Sequence, residues 1–348
     1  MAAGTSANIS EVQRIDREMP VSKSGYYSAH AGELKRELAA LLSRDLLREL
    51  HRRKPWRHFA VLARQLVLLA AAIAGIAWFR NSWLWVPFAV VEGWTVFNFT
   101  VLLHEVLHGL VFTRPRPFAT RLLELLYAIP SGISPSQFTR WHLDHHAELG
   151  SAEGDPKRHH LTPKINRRWF KALYFTPALF PIYFRAAARE TSTYPEALQK
   201  RIARERTASV AFHVSVMASL YFASGTALLA RAYVVPVFLV FPIAFALNRL
   251  GQHYDIHPED PAQWSTLMKP SWFWDFAYLW SNYHLEHHYY PGVPFYNLPK
   301  LRRLLDPYFR AKGMGSHGYG RLIYNYLVLN KRPHTDWRGT VTSAPQAY

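Results

Sequence analysis

Four apolar runs constrain this chain more than any other feature. Residues 59–79, 83–103, 208–230 and 232–250 are each about twenty residues long, the length an α-helix needs to cross the hydrocarbon core of a bilayer. Only Arg80, Asn81 and Ser82 separate the first two runs, and the last two meet at Arg231. The expected fold class is therefore an all-α integral membrane protein, with four transmembrane helices in two tight hairpins. Arg64, near the end of a run, can snorkel to the interface, whereas Glu92 and Asn98 lie inside the second run.

Charge supplies the orientation. The chain carries 41 Lys+Arg against 24 Asp+Glu, a formal charge of +17, a balance that in other settings marks a nucleic-acid binder. Here the basic residues alternate with apolar runs instead of forming one stripe, so no nucleic-acid partner is expected. RELHRRKPWRH precedes the first run, and Lys200, Arg201, Arg204 and Arg206 precede the third, while each hairpin turn holds a single Arg. By the positive-inside rule the hairpin tips point away from the cytoplasm, and residues 104–207 and 251–348 lie within it. The chain has no Cys, which excludes disulfides, Cys-ligated zinc and iron–sulfur clusters built from its own side chains. The first thirty residues lack the apolar core of a cleavable signal peptide.

Outside the runs, Leu34, Leu38, Leu41, Leu42 and Leu46 recur at helical spacing. They predict one amphipathic helix over 33–52, lying on the protein's own body or on the membrane surface. The stretch WFKALYFTPALFPIYF at 169–184 is short and holds Pro177 and Pro181, and it reads as interfacial or re-entrant. The expected organisation is a cytoplasmic N-terminal region at 1–58, a membrane catalytic domain at 59–305 and a cytoplasmic C-terminal tail at 306–348, loop-like after Lys331.

Histidine carries the chemistry. HEVLH occupies 104–108, HLDHH 142–146 and HLEHH 284–288, and GQHYDIH at 251–257 adds His253 and His257. Positions i, i+3 and i+4 share one helix face, so each box is expected to aim its imidazoles at one point, in a cytoplasmic helical cap at the ends of the runs. Taken alone, His-Glu-x-x-His is the zinc-protease signature. One zinc takes three or four protein ligands, however, which would leave two boxes without a task. Eight or nine imidazoles fit two metal ions, and imidazole suits iron, zinc, copper and nickel alike.

Other polar residues read more plainly. His213, alone in the third run, reads as structural; His30, His51, His58, His317 and His334 follow no pattern; His159 and His160 sit in a basic, Pro-flanked loop. Glu105, Asp144 and Glu286 lie between box histidines and face away from them, either holding imidazole N–H groups or pairing with nearby Arg. Asp155 reads as a turn cap, and Asn282 as a candidate to orient a ligand.

HEVLH, HLDHH, and NYHLEHH followed by YYPGVPFYNLPKL, resemble the histidine boxes of the membrane fatty acid desaturase and hydroxylase superfamily over about residues 83–305. The resemblance implies a non-haem di-iron centre that uses O₂ and two electrons to attack an unactivated C–H bond. Carried over, the iron ligands are His104, His108, His142, His145, His146, His284, His287 and His288, with His253 as the ninth and His257 as its alternate. The implied reaction is desaturation of a fatty acyl chain of a membrane lipid or acyl thioester. The Pro-rich segment after the third box is also similar to carotenoid hydroxylases, so hydroxylation or ketolation of a lipid or carotenoid is the alternative. A non-redox zinc membrane protein is the remote one. Without Cys, a fused cytochrome b5-like segment or a dinucleotide fingerprint, the electrons must come from a separate ferredoxin-like or cytochrome b5-like donor. A cationic cytoplasmic face would attract such a protein if it is acidic. The aromatic residues within 272–290 line a lipid tunnel or form an interfacial belt.

Overall fold

Helix α1 (Gly32–Leu41) and helix α2 (Arg44–Leu50) replace the single amphipathic helix expected over 33–52. Leu42 is extended, and Ser43 starts the second helix by accepting the Leu46 N–H at 3.3 Å, so a local cap outweighs the leucine spacing. Leu34, Leu38, Leu42 and Leu50 are buried in the main core, which places this region on the protein's own body. The structure is a computed structural model that describes residues 25–334. Most of the stretch read for a signal peptide lies outside the described residues, as does the tail from Thr335.

The described residues are helical, without a β-strand. Three helical stretches, Arg44–Trp78, Trp85–Leu107 and Glu196–His253, are long and apolar enough to cross a membrane. Within the first, helix α3 (Pro55–Trp78) begins with Pro55, whose fixed φ suits a first helical turn. Helix α4 (Trp85–Leu107) returns antiparallel to it: Gly75 meets the Phe88 ring and, farther from the turn, Gln65 meets Asn98. The outward surfaces are apolar, with Val67, Val90, Val210 and Phe222 exposed, a pattern that water does not favour but lipid does.

The longest stretch doubles back on itself. It runs through helix α8 (Glu196–Leu229), a π-helical segment (Ala230–Val240) and helix α9 (Phe241–His253). In a straight helix His213 and Tyr233 would stand about 30 Å apart, yet the Tyr233 hydroxyl donates to His213 Nδ1 at 2.7 Å. The reversal falls at Gly225 (φ 72°, ψ −169°), a conformation essentially reserved for glycine. It comes earlier than the Arg231 junction expected from the apolar runs. Arg231 instead donates to the Arg80 carbonyl and lies over the Trp85 ring, tying the two turns together. Farther along, α4 crosses the π-helical segment at Gly93, where a Cβ would stand 2.6 Å from that of Val240.

Away from these turns a polar layer of shorter helices gathers: α5 (Pro117–Ala128), α6 (Pro135–Ala147), α10 (His284–Tyr289) and α11 (Leu298–Ala311). Buried Glu205 of α8 fastens α6 in place. Its carboxylate accepts from the Ser134 hydroxyl (2.5 Å), the Ser136 hydroxyl (2.6 Å) and the Ser136 N–H (3.0 Å), and pairs with Arg121. Within 169–184 the chain forms one short helical turn (Arg168–Leu173), a bend over residues 174–178 and the start of helix α7 (Leu179–Thr191).

Candidate metal centre

Nine imidazoles converge where α4, α6, α9 and α10 meet. The last turn of α4 aligns His104 and His108, and the chain then leaves through Gly109 at φ 67°. His104, His108, His142, His146 and His287 form one group and His145, His253, His284 and His288 a second, with candidate ligand atoms within 4.8 Å of one another in each. The second and third boxes are thus split, where the sequence reading aimed each at a single point, while His104 and His108 stay together. At about 100° per residue, i and i+4 lie about 40° apart, while i+3 falls about 60° to the other side. Each i, i+4 pair shares a group, and His145 and His287 cross to the other one. His257 joins neither group, whereas His253 sits inside the second.

The donor atoms face each other closely. Nε2 separations are 3.0 Å for His108–His142, 2.8 Å for His142–His146 and 3.0 Å for His146–His287. In the second group His145–His253, His253–His284 and His284–His288 are each 3.1 Å apart. His145 Nδ1 donates to Asp155 Oδ2 at 2.9 Å, and His253 Nδ1 donates to the Trp264 carbonyl at 3.0 Å. With the protons on Nδ1, the two Nε2 lone pairs point at one another, and a cation between them resolves the conflict. Buried His104 Nε2 likewise has no hydrogen-bond partner. Bonds of about 2.1 Å put donors about 3.0 Å apart at right angles and about 3.4 Å apart in a tetrahedron. The nearest-neighbour separations, 2.8–3.1 Å, are therefore in the range of imidazoles that share one metal ion.

Burial sets the electrostatics. It holds His142, His146, His284, His287 and His288 well below the usual imidazole range, aided by neighbouring histidines or Lys157. Burial also lowers His145 to about 4, partly opposed by Asp155. All are neutral near pH 7, the form that binds metal. Burial and the nearby Arg249 bring Lys157 down to about 7, and its Nζ lies 2.8 Å from His142 Nδ1.

Two of the three intervening carboxylates follow the ion-pair reading. Asp144 pairs with Arg140 at 3.0 Å. Glu286 lies 3.1 Å from Arg302, in charge contact but out of line for a hydrogen bond, and burial raises it to about 7. Glu105 instead accepts the Phe295 N–H at 3.0 Å and lies 3.8 Å from His104 Nδ1, with no Arg partner among the described residues. Asn282 donates to Asp275 at 2.9 Å, and no hydrogen bond joins its side chain to a box histidine. His160 pairs with Glu190 at 3.1 Å. His213 donates to the Ile129 carbonyl at 2.9 Å, a structural role. Asp155 caps its turn through the Lys157 N–H (3.0 Å) and also holds His145, a role the sequence reading missed together with that of Lys157. The acidic residue in GDPKRHH, shortly after the second box, was the available signal.

A largely apolar cavity of about 870 Å³, open mouth included, runs beside His104, His142, His284 and His287, with Phe97, Val101 and Phe245 in its wall. Tyr283 also lines it, whereas Trp272 and Phe273 are exposed, so the aromatic stretch divides between tunnel and surface.

Membrane-length helices that end in paired polyhistidine clusters beside an apolar cavity define a class, the membrane metalloenzymes acting on hydrocarbon chains. Within it the chain belongs to the fatty acid desaturase family, whose model matches residues 81–320. It is similar to the Homo sapiens sphingolipid delta(4)-desaturase/C4-monooxygenase DES2, at 24% identity over 297 residues, covering 81% of this chain and 83% of that protein. It is also similar to the Glycine max chloroplastic omega-3 fatty acid desaturase, at 26% over 282 residues, covering 73% and 61%. A third relative is the Arabidopsis thaliana chloroplastic temperature-sensitive sn-2 acyl-lipid omega-3 desaturase (ferredoxin), at 23% over 286 residues, covering 73% and 64%. The chain is a membrane oxidoreductase of lipid metabolism whose histidine clusters fit a di-iron site.

Proposed function

We propose that this enzyme uses O₂ to desaturate the acyl chain of a membrane lipid or acyl thioester at a di-iron centre. The observation that carries the reading is the pair of imidazole groups beside an apolar cavity, one of five partly to fully buried histidines and one of four buried ones. His104, His108, His142, His146 and His287 would hold one iron, and His145, His253, His284 and His288 the other. Bound there, the irons supply the oxidising power that removes hydrogen from an alkyl carbon.

The chain's own residues do the rest. Asp155 and the Trp264 carbonyl fix the orientation of His145 and His253. Phe97, Val101 and Phe245 exclude water from the reacting carbon. For desaturation, two C–H bonds of the substrate and two external electrons with two protons reduce O₂ to two waters, leaving a carbon–carbon double bond. For hydroxylation the same electrons and protons yield one alcohol and one water. The second outcome stays in view because the Homo sapiens relative's name includes C4-monooxygenase.

Topology follows the same logic. The reversal at Gly225 turns the third stretch into two crossings, giving four in two hairpins. Arg52, Arg53 and Lys54 precede α3, and Arg57 lies in its first turn, at the end where α4 presents its histidines, so the positive-inside rule assigns that face to the cytoplasm. Residues 59–305 form the catalytic domain, between an N-terminal region at 1–58 and a tail at 306–348. Electrons come from a separate ferredoxin-like or cytochrome b5-like protein, and the word ferredoxin in the Arabidopsis relative's name supports the former. Lipid mass spectrometry of cells expressing the wild type or His287→Ala tests the proposal. Loss of two hydrogens from an acyl chain, absent in the variant, is expected. Added oxygen instead selects hydroxylation, and unchanged lipids refute both.

A further inference from the structure

Two consecutive residues stand in the left-handed region just before the third histidine box, Leu279 at φ 49° and Trp280 at φ 61°. Four non-glycine residues have positive φ among the described residues, and only these two are adjacent. Each crowds its Cβ against the following carbonyl, and such a conformation persists only where its surroundings over-determine it. Upstream, the turn is held by the membrane helices. The carbonyl of Ala277, which ends a short helix (Trp272–Ala277), accepts from Trp94 Nε1 at 2.9 Å and from Asn98 Nδ2 at 3.0 Å, both on α4. The Tyr278 hydroxyl donates to the Ala244 carbonyl of α9 at 3.1 Å.

Downstream, one side chain ties the turn back to that short helix. Asp275 Oδ1 accepts from Asn282 Nδ2 at 2.9 Å, and Oδ2 accepts from the Tyr283 hydroxyl at 3.0 Å. Across the turn the Trp280 N–H donates to the Asp275 carbonyl at 3.1 Å. Tyr283 directly precedes His284, and its carbonyl accepts the His287 N–H at 3.0 Å, the opening bond of α10. The rest of α10 has anchors of its own. Glu286 faces Arg302 at 3.1 Å, the Tyr289 hydroxyl donates to the Ala262 carbonyl, and the Tyr290 hydroxyl donates to the Leu38 carbonyl at 3.1 Å. Asp275 thus holds the entry end of α10, where His284 Nε2 lies 3.1 Å from Nε2 of both His253 and His288.

We infer that Asp275 is a positioning residue for the metal centre. By joining Asn282 and Tyr283 to the helix before the strained turn, it fixes where His284 enters the four-histidine group. Its carboxylate bonds those two residues and no imidazole, so it acts through the backbone. His287 and His288 stand about one turn further along, nearer the other anchors, and depend on it less. This inference rests on the two-metal reading of the histidines and adds a residue that sets one ligand.

Iron titration of the full-length, detergent-purified protein tests it, with Mössbauer spectra to tell the sites apart. The four-histidine signal is the one that His253→Ala removes. Asp275→Leu keeps a side chain of similar size but loses both acceptors. It should weaken the four-histidine site about ten-fold, the lower end of the effect of losing a partner of a metal ligand, and shift its spectrum. The five-histidine site should be nearly unchanged. Asp275→Asn should stay within about two-fold of wild type, because the amide oxygen accepts from Asn282 and the amide N–H donates to the Tyr283 hydroxyl. Tyr283→Phe keeps the ring and loses one of the two bonds, so it should fall between; it carries the test if Asp275→Leu does not fold. Unchanged sites in Asp275→Leu, or in Tyr283→Phe where that variant carries the test, overturn the inference. So does equal weakening of both sites with a lower thermal midpoint of the metal-free protein, the mark of a merely structural role. Asp275→Asn as damaged as Asp275→Leu also overturns it. Wild-type protein that does not bind two irons removes the two-metal reading, and the inference with it.

Discussion

Asp155→Asn isolates one contact of the site. In the wild type, Asp155 Oδ1 accepts the Lys157 and Arg158 N–H groups (3.0 and 3.3 Å), while Oδ2 accepts from His145 Nδ1 at 2.9 Å. Asparagine keeps one oxygen for the turn but puts an NH₂ where Oδ2 stood. That group cannot accept from Nδ1–H, so His145 must either lose the bond or move its proton to Nε2, the atom 3.1 Å from His253 Nε2. Either way the four-histidine group loses a properly oriented donor, whereas the five-histidine group does not involve this contact. Loss of such a supporting partner typically weakens metal binding 10- to 100-fold, about 1.4–2.8 kcal/mol. Iron titration of detergent-purified protein should show one site weakened by that factor and the other unchanged, with little change in thermal stability of the metal-free protein. Two unchanged sites would refute the argument that Asp155 sets the His145 tautomer. Equal weakening of both would refute the division of the nine histidines into two groups.

Other consequences are as specific. His253→Ala should lower iron from two towards one per chain by elemental analysis, while His257→Ala, outside both groups, should leave it at two; the reverse result would move the ninth ligand. Glu205→Ala removes the acceptor of three hydrogen bonds and the partner of Arg121 at the start of α6. It should cost about 3 kcal/mol, read as a lower thermal midpoint, with Glu205→Gln milder; no shift would show that the contact does not hold the helix. Metal-free protein should lose stability as pH falls. His145 is lowered to about 4 in the fold, against about 6.5 unfolded, so the unfolded chain binds the extra proton first. Stability should be full above about pH 6.5 and decline as pH falls towards about 4, with the more strongly lowered box histidines acting in the same direction. A flat thermal midpoint across that window would contradict the burial of neutral imidazoles.

The histidine pattern was legible because its information is local: spacing within one or two turns decides which side chains share a face. The division of the second and third boxes between two groups was less so, since it depends on how α6 and α10 are rotated about their axes. Asp155 and Lys157 meet their histidines across a loop, through contacts that no helical periodicity reports. Ser43 broke a regular leucine pattern by supplying a cap, a case of one hydrogen bond redirecting the backbone. At Gly225 the apolar run continues without interruption, and only the residue's freedom at positive φ marks where the chain can reverse.

The central claim is that nine imidazoles hold two irons in unequal shells. The most direct measurement is Mössbauer spectroscopy of protein reconstituted with ⁵⁷Fe, with the iron quantified on the same sample. The account predicts two irons per chain in equal amounts, giving two distinct signals from the five- and four-histidine groups. One metal per chain, or zinc retained in preference to iron, would contradict it.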